Sequence, residues 1–194
     1  MVAALTASCS PSPAPPSTPL EVVDAVSDVV GSPSDPVPLA PIDDKPWIDI
    51  RSMTIMRTEV DLEVSLELVR APDPTGFMTY SIEFDTSGDG VSDYSLWAEY
   101  FGDGTARPGL VPWAEGEALF DEAFPGSLTV DDRVLTWIVP LASIPGESLR
   151  VVASAQSSGD AEMAEAVLVA QDYVPDTQLN EATREEVYSW ITVP

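Results

Sequence analysis

From Asp61 to Leu68 the chain reads DLEVSLEL, with Leu62, Val64, Leu66 and Leu68 alternating against Asp61, Glu63, Ser65 and Glu67. Period two marks a strand with one buried and one wet face. Met78, Tyr80, Ile82 and Phe84 repeat the rhythm, followed by Tyr94, Leu96, Ala98 and Tyr100, and later by Leu149, Val151, Ala153 and Ala155. Near the start of the patterned region Ile48 and Ile50 give way to Met53 and Ile55, a slip of phase around Ser52 that a β-bulge would produce. Leu110 to Trp113 predicts a short strand, Arg133 to Val139 one that Pro140 ends, and Ala166 to Ala170 an apolar one.

Turn residues punctuate these runs, in APDPTG, FGDGTARPG, PLASIPG and SSGDAEM. The stretch EGEALFDEAFPG reads as an irregular connection with room for one helical turn. Roughly eight short strands separated by Gly, Pro and Asp turns predict an all-β chain, an antiparallel β-sandwich of jelly-roll-like kind.

The ends lack this rhythm. LEVVDAVSDVV, residues 20–30, predicts a short amphipathic helix with Leu20, Val23, Val26 and Val30 on one side. Residues 31–46 carry five prolines and no period, so 10–45 read as a Pro-rich linker. The sandwich is expected over 46–178, with 179–194 as an extension whose TREEVYSWITVP fits either a short helix or an edge strand.

Composition narrows the chemistry. Lys+Arg number 8 against 33 Asp+Glu, a net charge of -25 that repels nucleic acid and anionic headgroups. Only Lys45 among the basic residues is a lysine. Histidine is absent, which removes Ser-His-Asp and Cys-His machinery and any imidazole ligand for zinc or haem. A single cysteine, Cys9, leaves no internal disulfide and no cysteine zinc cluster. Catalysis would have to rest on two carboxylates, as in a glycoside hydrolase, and in so acidic a chain a pair of carboxylates carries no weight. The expectation is a non-enzymatic protein.

One stretch is dense enough to suggest a ligand. FDTSGDGVSDY, residues 84–94, sets Asp85, Ser87, Asp89 and Asp93 at alternate positions around Gly90, with the Val91 carbonyl as a further oxygen. That spacing matches a calcium loop of the EF-hand kind at its first nine places. The twelfth place, where a bidentate Glu belongs, holds Leu96, so the site is either incomplete, weak, or finished by a carboxylate from elsewhere such as Asp103. The flanks alternate as strands, so the loop would join a hairpin, and Asp, Ser and Gly are also what a polar turn collects. Trp97, Tyr100 and Trp113 are the candidates for stacking on a sugar ring, while Trp47, Trp137, Met53, Met56 and Met78 are assigned to packing.

Two resemblances extend this. MVAALTASC followed by SPSPAPPSTP resembles the end of a bacterial lipoprotein signal with Cys9 as the lipidated residue. Thr6 stands where a lipobox has Leu, and the short apolar run before Cys9 implies a true start upstream of Met1. The order of WIDI, LEVSLEL, YSIEFDTSGDGVSDY, LTWIVPLASI and LRVVASAQSS, closed by DYVPD, resembles the superfamily of DOMON domains and family 9 carbohydrate-binding modules over residues 47–177. Together these imply a lipid-anchored, calcium-stabilised module of the bacterial cell envelope, facing outward or secreted, that binds a glycan or a cell-surface protein. The alternative is a structural subunit of an envelope assembly with no ligand of its own.

Overall fold

Each alternating run becomes a strand because its two faces meet different surroundings. In the computed structural model, which describes residues 18–24, 30–31, 45–73, 76–101, 104–114, 117–118, 123–146, 148–158, 168–175, 178–179 and 186–194, the strands in chain order are β1 (Leu20–Val23), β2 (Val30–Gly31), β3 (Ile50–Arg57), β4 (Asp61–Leu68), β5 (Phe77–Asp85), β6 (Tyr94–Phe101), β7 (Ala106–Ala114), β8 (Glu117–Ala118), β9 (Ser127–Asp131), β10 (Val134–Pro140), β11 (Arg150–Ser158), β12 (Leu168–Val174), β13 (Gln178–Leu179), β14 (Glu186–Val187) and β15 (Ile191–Thr192). One sheet has the order β1-β3-β4-β10-β9; the other runs β2-β12-β11-β5-β6-β7-β8, with β15 added to β11 and a separate β13-β14 pair. All pairings are antiparallel.

The core lies between the sheets. Leu62, Val64, Leu66 and Leu68 of β4 and Leu135, Trp137 and Val139 of β10 meet Met78, Tyr80, Ile82 and Phe84 of β5 and Val151, Ala153 and Ala155 of β11. Trp137 is fully buried, and its indole N–H donates across the sandwich to the Trp97 carbonyl at 3.3 Å. Tyr80, also fully buried, donates its hydroxyl to the Trp47 carbonyl at 2.6 Å. Both aromatics thus bury area without stranding a donor.

The antiparallel sandwich expected from the alternation is the fold of this chain. Setting aside the two-residue pieces and β1, four strands (β3-β4-β10-β9) face five (β12-β11-β5-β6-β7). That is the strand order of a variable-type immunoglobulin sandwich, with β4–β10 and β5–β11 as the non-sequential pairs.

The phase slip near Ser52 is a register shift between Ile50 and Ser52 against β4. A buried carboxylate sits beside it. Asp172 of β12 points inward at 3% exposure and accepts the Ile50 N–H at 2.6 Å, linking the edge of one sheet to that of the other.

The helix expected over 20–30 is not formed at its start. Residues 20–23 are β1, paired with Ile55 to Ser52 of β3, and 25–29 lie outside the described residues. Leu20 and Val22 alternate with Glu21 and Val23, and strand pairing outweighs the marginal stability of a short isolated helix. Two pieces of the expected linker, β1 and β2, therefore join the sheets. At the other end, β15 takes the edge-strand alternative, pairing with Arg150 and Val151. The strand β9 was not anticipated; it forms a hairpin with β10 through Asp132, whose φ of 52° uses the tolerance of Asp for the left-handed region.

Candidate functional site

The acidic loop joins β5 to β6 at one end of the second sheet. Asp93 N–H donates to the Phe84 carbonyl at 2.7 Å and closes the loop base. Gly88 and Gly90 take φ values of 84° and 91°, which glycine adopts without a Cβ penalty. These bends turn backbone N–H groups inward, toward the carboxylates.

Asp85 is fully buried and accepts from Gly88 N–H at 2.5 Å, Gly90 N–H at 2.8 Å and the Ser87 hydroxyl at 3.3 Å. Its Oδ2 also accepts from Arg150 Nη2. Asp93 Oδ2 accepts from Thr86 N–H at 2.7 Å, the Thr86 hydroxyl at 3.0 Å and Ser87 N–H at 2.8 Å. Asp89 is exposed and accepts the Val91 N–H at 2.9 Å. Burial pushes the Asp85 carboxyl up, but the Gly88 and Gly90 N–H groups and the Arg150 charge outweigh it and hold it below the usual range.

A calcium loop converges six to eight oxygens with lone pairs free for the ion. Here both oxygens of Asp85 and the Oδ2 of Asp93 already accept hydrogens, and Val91 contributes an N–H to Asp89. Among the described residues, no group of three or more His, Cys, Asp or Glu is placed to hold a metal ion. Leu96, at the twelfth place, is buried in the core, and Asp103 lies outside the described residues. As folded, the donor set does not fit calcium. Its positive charge comes from Arg150, which stands directly opposite Asp85 in the β11–β5 register. Trp190 covers this pair, with the Arg150 guanidinium 5.9 Å from its ring centroid and its own N–H donating to the Gly90 carbonyl at 3.2 Å.

The aromatic candidates divide between two faces. Tyr100 points into the core at 5% exposure, edge-on to Tyr80 with 6.0 Å between centroids, so it is not available to a ligand. Trp97 and Trp113 are in the outward phase of β6 and β7. The Trp97 indole lies against Gly109 so closely that a Cβ there would fall 2.1 Å from the ring. Trp113 is 38% exposed and donates its indole N–H to Ser95 Oγ at 2.5 Å. Ser95 and Ser92 both donate to Glu83 Oε2, the latter at 2.6 Å. Burial pushes the Glu83 carboxyl above its usual range even though the Ser92, Ser95 and Ser81 hydroxyls oppose this. Farther along the face, Arg107 stacks 4.3 Å from the Phe101 centroid, and Phe77 meets Phe101 edge-on at 5.2 Å.

Arg150, Glu83, Ser95 and Trp190 stand outside the motifs that the sequence singles out. Glu83 was legible, as the one carboxylate in the outward phase of β5 ahead of Asp85; Arg150 gave no local signal, being 65 residues from its partner. Cys9 lies outside the described residues. No family model, curated protein or solved structure matches this chain.

Proposed function

We propose that this chain is a non-enzymatic binding module whose ligand face is the outer side of β6 and β7, with Trp113 and Trp97 as stacking surfaces for a sugar ring. The observation that carries this is the setting of Trp113. A large aromatic side chain 38% exposed on a sheet face is held in one orientation by the chain from its indole N–H through Ser95 to Glu83. An exposed ring immobilised in advance loses little entropy when a ligand covers it. Trp97, braced against Gly109, adds a second ring on the same side. Cys9 would then carry the lipid, with the Pro-rich stretch setting the module away from an envelope membrane.

Screening the full chain on a glycan array, then measuring affinity for any hit in Trp113→Ala and Trp97→Ala, tests this. Loss of binding in both variants with an unchanged melting curve is the expected result. Binding that survives both substitutions overturns the assignment of the face, and a chain that binds no glycan but co-purifies with an envelope complex favours the structural-subunit alternative.

A further inference from the structure

We propose that the guanidinium of Arg150 is the built-in cation of the 85–93 loop, so that the loop is set by an ion pair within the chain and requires no divalent metal. Three independent features of the fold converge on this. The β11–β5 register puts Arg150 directly across from Asp85, so the charge is delivered by a sheet and needs no flexible reach. The acceptor is spent: Asp85 is 0% exposed at its side chain and takes Gly88 N–H, Gly90 N–H, the Ser87 hydroxyl and Arg150 together. The cation is also fixed from behind, because the C-terminal strand β15 pairs with Arg150 and Val151, and Trp190 just before it lies over the guanidinium and grips the Gly90 carbonyl.

For calcium to enter, Arg150 would have to leave both Asp85 and Trp190, and Asp85 would have to turn from the two glycine N–H groups that shape the bend. Those N–H groups would then face a cation.

The test uses the full chain. Thermal unfolding is compared in calcium and in EDTA at matched ionic strength, alongside terbium luminescence sensitised by Trp190. The expected result is the same midpoint in both and no saturable terbium emission. A midpoint that climbs with calcium, as binding to the folded state alone demands, or terbium emission that calcium displaces, overturns the proposal. Arg150→Gln is expected to melt several degrees lower and to shift the Gly88 and Gly90 amide resonances, with Arg150→Lys recovering part of the loss. An Arg150→Gln chain that melts like the parent overturns the proposal as well. Should that variant not fold, the parent titration and Arg150→Lys decide.

Discussion

Glu83 and Asp85 lie two residues apart on one strand and titrate in opposite directions: burial outweighs the serine hydroxyls at the first, while the Gly88 and Gly90 N–H groups and the Arg150 guanidinium outweigh burial at the second. Glu83 has a folded-state pKa above its unfolded one, so its contribution is fully present at low pH and is lost as pH rises through the folded value. Glu83→Gln is therefore expected to raise the melting temperature at neutral pH, with the gain vanishing as pH approaches the ordinary carboxylate range. The Asp85 pKa is depressed, so its contribution is present above the unfolded value and disappears as acid takes pH down through the folded one. A melting-temperature profile against pH for parent and Glu83→Gln checks both signs. Gly109→Ala is expected to cost about 2 kcal/mol and to shift tryptophan emission, since the new Cβ and the Trp97 ring cannot share the space. Residue-level legibility varied with how local the cause was. Trp137, among apolar neighbours in the sequence, is fully buried in the core. Tyr100 shares the phase of Leu96 and Ala98, so the alternation itself already placed it inward and away from any ligand.

Strands are the most legible elements because period two is written directly in the side chains. β4, β5, β6, β10 and β11 all fall where the alternation lies, and even the phase slip near Ser52 is real. Misreadings came where partners mattered more than pattern. Four residues of β1 suit either a helix or a strand until the edge of β3 is there to receive them. The inward Asp172 shows how far apart the two ends of one interaction can be, since Ile50 is 122 residues away. Asp172→Ala is expected to destabilise the fold by about 2 to 3 kcal/mol, the range for losing a hydrogen bond to a charged acceptor and orphaning the Ile50 N–H. Asp172→Asn should recover part of that. Denaturant unfolding of the pair, with unchanged slope, measures it.

Across the whole molecule, the alternation tells which face of each strand turns inward but not which strands become neighbours. A jelly-roll-like sandwich and the immunoglobulin-type order share that inward pattern and differ only in pairing, which depends on contacts remote in sequence. Charge acts at this scale too. With 33 acidic residues against 8 basic ones, the folded chain repels itself, and added monovalent salt is expected to raise the melting temperature by screening over about 8 Å at physiological strength. Potassium chloride should do so as well as calcium chloride at equal ionic strength. The N-terminal stretch also has a consequence for load. It lays β1 along the edge of one sheet and β2 along that of the other, lacing the side where Asp172 meets Ile50. A pull exerted through a tether at that end would first peel off these two short strands, which act as slack ahead of the sandwich, so a force-extension trace should show a weak early rip before the main one.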